Sequence, residues 1–154
     1  PSAQMEPNLL SGQDLVPTAM SSLHCEGFPL LAIWLSGFSQ GACLASEAYA
    51  RLGEGLAGLL AFSGGLVGTG DATGPATPAL YGHGPKRFDY ATQLTGKAWL
   101  SVHAQDPHIP LTRVQDSATT LTTLGAQVET RTYPGVGHGV LPDDITALRR
   151  VLAP

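Results

Sequence analysis

A serine, an aspartate and a histidine stand where they could do acyl-transfer chemistry together. Ser39 lies in Gly37-Phe38-Ser39-Gln40-Gly41, a G-x-S-x-G pattern in which a strained strand-to-helix turn lifts the serine hydroxyl above the sheet. Such a hydroxyl is a poor nucleophile at neutral pH. It needs a base within hydrogen-bond reach and a third group that holds the base in the right tautomer. Asp106, just before Pro107, and His138, between Gly137 and Gly139, follow in the order serine, acid, histidine, the order that goes with this kind of elbow. The backbone N–H of Gln40, at the start of the helix behind the serine, is aimed at the oxyanion that acyl attack creates. A second donor belongs to a loop after an earlier strand, and no segment of the chain corresponds to it.

Each member has an ordinary reading when taken alone. With 19 glycines in the chain, a G-x-S-x-G can be no more than a glycine-rich turn. His138 can be a surface histidine, and Asp-Pro is a common way to start a loop. Their joint order, and their positions at the exits of strands, outrank these readings. Asp143 and Asp144 stand where a helix N-terminus favours negative charge, and Asp116 and Glu47 read as solvated helix faces. His83, His103 and His108 have no H-x-x-x-H or C-x-x-C partner spacing, so no zinc site is expected. Cys43, one helical turn after Ser39, reads as a small core residue. Leu66, His108 and Ile109 are the candidate lining of a shallow apolar substrate pocket.

The elements that must position these groups follow from the pattern. The unbroken apolar run Leu30 to Leu35 predicts a central strand buried on both faces. Ala42 to Leu52 predicts the helix that follows the serine turn, stopped by Gly53. Leu56 to Phe62 and Ala98 to His103 repeat the buried-strand pattern, and Val128 to Tyr133 adds a fourth strand with β-branched residues. Helices are expected near Ser11 to His24, from Leu111 to Leu124 and from Asp143 to Leu152. Between Val67 and Lys97 a Gly-, Pro- and Thr-rich stretch reads as a long surface excursion, a kind of loop that often carries function. Strands alternating with helices imply a parallel sheet covered on both faces, hence an α/β three-layer sandwich.

Composition sets the outer bounds. A chain of 154 residues, 43% hydrophobic and 13% charged, suits one domain with its own core rather than disorder. A net charge of −4 with no basic run argues against nucleic acid as a partner. Phe28 to Leu35 is too short an apolar stretch for a membrane span, and no signal-peptide pattern is present. Two cysteines, Cys25 and Cys43, read as reduced thiols and favour a cytoplasmic setting. The chain opens at Pro1 without an initiating Met, which suggests a processed or shortened form of something longer.

Several of these segments together resemble the phospholipase/carboxylesterase family of α/β-hydrolases, relatives of the acyl-protein thioesterases. The likeness rests on Gly37 to Ala42, Ala61-Phe62-Ser63-Gly64-Gly65-Leu66, Asp106-Pro107-His108-Ile109-Pro110, Leu124-Gly125-Ala126 and Tyr133-Pro134-Gly135-Val136-Gly137-His138. It extends over nearly the whole chain from Glu6. The resemblance implies a single catalytic domain over residues 1–154, shortened at its N-terminal side relative to the family. It also implies hydrolysis of short- to medium-chain acyl esters, no cofactor, and a triad of Ser39, Asp106 and His138. The family's first strands and its His-Gly oxyanion loop have no counterpart here. An unpaired sheet edge would then be left as a template for association, so a homo-oligomer is expected. A thioesterase differs only in leaving group, and a non-catalytic remnant that serves as a binding or assembly module is the alternative of a different class.

Overall fold

The computed structural model describes residues 2–153, with side chains from residue 14 onward. Helix α1 (Ser2–Cys25) opens the chain. It passes through Ser11 and Gly12, where the sequence suggests a start, because an internal cap signal is a weak local preference of about 1 kcal/mol. Its end is well marked. Gly27 takes φ +95°, its N–H donates to His24 O at 3.0 Å, and the Phe28 N–H donates to Leu23 O at 3.0 Å, the paired bonds of a glycine-terminated helix.

The first strand departs from expectation. Leu30–Ala32 forms a 3-10 turn after Pro29, and strand β1 is Trp34–Phe38. The apolar run therefore divides: Leu30 packs against the main core and Ile33 is buried in it, before the chain becomes extended. Nor is β1 a central strand buried on both faces. It lies at one edge of a four-stranded sheet of order β1-β2-β5-β6, and its residues are half-buried or exposed.

Helix α2 (Gln40–Leu52) returns the chain to strand β2 (Gly58–Phe62), which is buried throughout. The excursion that follows carries a small antiparallel pair, β3 (Gly70–Asp71) with β4 (Lys86–Arg87), and a 3-10 turn at Pro78–Leu80. Strand β5 (Lys97–Gln105), helix α3 (Leu111–Thr123), strand β6 (Gln127–Val136) and helix α4 (Pro142–Leu152) complete the chain. All three pairings of the main sheet are parallel, as strand-helix-strand connections require.

Alternation along β2 and β5 divides the core between the two faces. Leu59, Ala61, Ala98, Leu100 and Val102 meet Ala42, Ala45 and Tyr49 of α2 and Val114 and Leu121 of α3. On the other face Leu60, Phe62 and Trp99 meet Ala147 of α4. Asp144 is fully buried. One of its oxygens accepts from Leu141 N–H at the helix start and the other from Trp99 Nε1, both at 2.9 Å. The expected capping acid therefore also ties α4 to the sheet.

Glu47 corrects the sequence reading. It is only 1% exposed and accepts hydrogen bonds from the N–H groups of Val67 and Gly68, from Tyr90 Oη and from Arg51 Nε, at 2.6–2.9 Å. Both ends of the long excursion are thus pinned to one buried carboxylate on α2. A buried charge held by four donors is stabilising where a bare one would not be.

Candidate active site

Ser39 sits between β1 and α2 with φ 54° and ψ −119°, outside the regions an ordinary side chain prefers. Its N–H donates to Phe62 O at 2.9 Å and its carbonyl accepts from Cys43 N–H at 3.0 Å, so both sides of the strained residue are held. The two elbow glycines are not equivalent. A Cβ on Gly37 would lie 2.2 Å from the Gly41 backbone, whereas a Cβ on Gly41 meets nothing within 4 Å. Only Gly37 is demanded by the close approach. Gly37→Ala should therefore destabilise the fold by about 3 kcal/mol or more, because backbone atoms cannot step aside. Gly41→Ala, within a helix, should stay within about 1 kcal/mol of the parent. Denaturant unfolding of both variants checks this, and equal losses would contradict the steric account.

Asp106 and His138 leave the sheet at the same rim. The β5–β6 register slips between His103 and Gln105, and just beyond it the chain reaches Asp106, while β6 runs on to Val136 and then His138. With the proton on Nδ1, His138 donates to the two carboxylate oxygens of Asp106 at 3.0 and 2.8 Å, and its Nε2 accepts from Ser39 Oγ at 2.9 Å. Ser39 and His138 are 99 positions apart in sequence. The three residues singled out in the sequence are thus one hydrogen-bonded chain.

Asp106 is fully buried, and burial alone pushes its carboxyl pKa up. The bond to His138 and the N–H groups of His108 and Ile109 outweigh this, so the group lies below the ordinary carboxylate value. Those two N–H groups donate to Oδ1 at 2.9 and 3.0 Å. The segment Asp106 to Ile109, which the sequence presents as a turn, is therefore also what fixes the carboxylate. A carboxylate kept ionised beside an imidazole favours the imidazolium, and the imidazole in turn can take a proton from the hydroxyl.

The other expected site residues divide. Gln40 is the first residue of α2, so its N–H has no acceptor within the helix and faces the serine end. Leu66 is 1% exposed, part of the core and also of a cavity wall. Ile109 packs against the core. His108 is exposed and stands edge-on to the His138 ring, centroids 4.8 Å apart.

Three neighbours were not anticipated. Phe38 lies against His138 with ring centroids 4.9 Å apart. Tyr81, from the excursion, donates its hydroxyl to the Asp106 carbonyl. Ser63, itself at φ 48°, donates to Gly139 O at 3.4 Å and so links the end of β2 to the histidine loop. Phe38 had a signal in its place within the elbow. Tyr81 had none, since only the fold brings the excursion back over Asp106. Among the described residues no group of three or more His, Cys, Asp or Glu is placed to hold a metal ion, and no helix is long and apolar enough to cross a membrane. Cys25 and Cys43 are free thiols.

The model of one protein family, described as Phospholipase/Carboxylesterase, matches residues 5–153. Among solved structures, a phospholipase/carboxylesterase from Dyadobacter fermentans DSM 18053 is 32% identical with a TM-score of 0.80, the match covering 99% of this chain and 67% of that one. SOBER1 from Arabidopsis thaliana is 19% identical with a TM-score of 0.64, covering 94% of this chain and 64% of its own. The Bacillus cereus carboxylesterase is 14% identical with a TM-score of 0.71, covering 95% and 61%. At the two lower identities the likeness is one of fold. The chain thus spans about two thirds of the length of the structures it resembles. No match is found among curated proteins.

Proposed function

The chain belongs to the phospholipase/carboxylesterase family, and from that premise we propose that it is a serine carboxylesterase acting on short- to medium-chain acyl esters through an acyl-enzyme on Ser39. The observation that carries this reading is the unbroken chain from Ser39 Oγ through His138 to Asp106, with contacts of 2.9 and 2.8 Å. His138 Nε2 takes the hydroxyl proton as Ser39 attacks the ester carbonyl. The Gln40 N–H, at the positive end of α2, stabilises the negative oxygen that forms. His138 then returns the proton to the departing alkoxide, and water enters by the same route in reverse to free the acid.

The reading is tested with p-nitrophenyl esters of increasing acyl length, following nitrophenol release in the first turnover. A stoichiometric burst on the short chains, lost in Ser39→Ala, is the expected result. Equal rates for the parent and Ser39→Ala would favour a non-catalytic module.

The same fold carries a homo-oligomer in our reading. On one side β1 pairs with β2, and among the described residues nothing pairs with its other side. On the α4 face, Trp34, Leu60, Trp99 and Val151 line a cavity of about 640 Å³, and Phe28 and Leu31 just before β1 are exposed. An open edge beside apolar surface is a template for a second copy. Light scattering should give at least twice the chain mass, and a monodisperse monomer sinks the proposal.

A further inference from the structure

A second cavity, of about 770 Å³, has a wall that includes Cys43, Leu66, His83, Lys86, Pro110 and Arg113. Its position is fixed by the elbow. The Cys43 N–H bonds to the Ser39 carbonyl at 3.0 Å. Gly64 packs so close that a Cβ there would lie 2.8 Å from the same oxygen, and the next residue, Gly65, is in the cavity wall.

The cations of this wall are not alike. Lys86 is already paired with Asp71. Arg113 has no carboxylate within ion-pair distance among the described residues. Its guanidinium lies over the Phe88 ring, 5.6 Å from the centroid, and its Nη1 is shielded from solvent with no hydrogen-bond partner. Asp116, one turn further along α3, makes no ion pair with it. Burial pulls the Arg113 group below its ordinary pKa, with Asp116 opposing, yet an arginine stays charged in a protein. A cation partly withdrawn from water without an anion is costly, and its planar fork matches a carboxylate.

Resting on the esterase reading, we infer that Arg113 recognises a carboxylate on the acyl half of the substrate, so that monoesters of dicarboxylic acids are preferred over neutral esters. The assignment to the acyl half follows from His138. The leaving oxygen must take its proton from Nε2, so the alcohol half lies beside that ring. The cavity wall contains Cys43 and Gly65, which adjoin the Ser39 carbonyl side, and neither Ser39 nor His138 themselves; of the two ester arms, the one turned away from the His138 ring is the acyl arm.

The test compares monoethyl glutarate and monoethyl adipate with ethyl pentanoate and ethyl hexanoate by acid release at constant pH. It uses the parent, Arg113→Met and Arg113→Lys, each checked for folding by thermal unfolding. The parent should favour the charged esters. The ratio of kcat/KM for charged over neutral ester should fall by about 10- to 100-fold in Arg113→Met and recover in part in Arg113→Lys, which keeps the charge but not the fork. Protection against heat by free glutarate is the second readout, because it needs no turnover. Neutral esters hydrolysed with a ratio that Arg113→Met leaves unchanged overturn the carboxylate site and leave the esterase reading standing. No hydrolysis of any ester, with glutarate protecting the parent and not Arg113→Met, overturns the esterase reading and keeps the site. Neither hydrolysis nor protection overturns both.

Discussion

Ser39→Ala and His138→Gln should each lower kcat for ester hydrolysis by about 10⁶-fold, and the double variant should lose little more than either alone. The magnitude is that of a nucleophile and base that work as one unit. In this protein the physical basis is the 2.9 Å contact between Ser39 Oγ and His138 Nε2. Without the hydroxyl the imidazole has no proton to take, and without the imidazole the hydroxyl stays protonated. What activity is left comes from binding and from the Gln40 N–H, which neither change removes. Ser39→Ala should not unfold the chain, because the left-handed φ of 54° is imposed by bonds of the backbone to Phe62 and Cys43 and costs alanine about what it costs serine. Turnover measured with p-nitrophenyl esters, alongside unfolding curves, separates the two effects. Losses that add in the double variant would mean that His138 is not the partner of Ser39.

That these residues could be found from the sequence has a structural reason. In a parallel sheet with short strand exits, residues just beyond the strands gather on one rim. Asp106 and His138 were therefore placed by the same periodicity that located β5 and β6. The edge position of β1 was not legible, because an apolar run does not say how many neighbours a strand has. The first three residues of that run, Leu30–Ala32, form a 3-10 turn from which Leu30 packs against the main core. Glu47 was misread as solvated because its donors arrive from Val67, Gly68 and Tyr90, in a stretch with no periodicity to locate it. Arg113 and Tyr81 escaped for the same reason. Their surroundings are built by the excursion, whose path is set by turns and by Glu47 rather than by a hydrophobic pattern.

The reading also fixes what the third member should do. Asp106→Asn should lower kcat by about 10⁴-fold at neutral pH, less than the loss of Ser39 or His138. The amide oxygen can still accept from the N–H groups of His108 and Ile109, which now reach Oδ1 at 2.9 and 3.0 Å, so the loop should hold. The amide nitrogen, however, then faces His138 Nδ1 and favours the tautomer with the proton on Nε2, where it blocks uptake of the Ser39 proton. The carboxylate's lowered pKa adds a stability test that needs no substrate. A group whose pKa is lower folded than unfolded stabilises the fold above its unfolded value, about 3.9 for an aspartate. That contribution is lost as the pH falls through the folded value. The parent should therefore be more stable than Asp106→Asn at pH 7, and the gap should close below about pH 4. Urea unfolding of both proteins from pH 7 down to pH 3 reads this directly. A gap that instead widens toward the acid end would show that Asp106 is held as a neutral group, and an acid already neutral in the fold cannot stabilise the imidazolium on which the esterase reading depends.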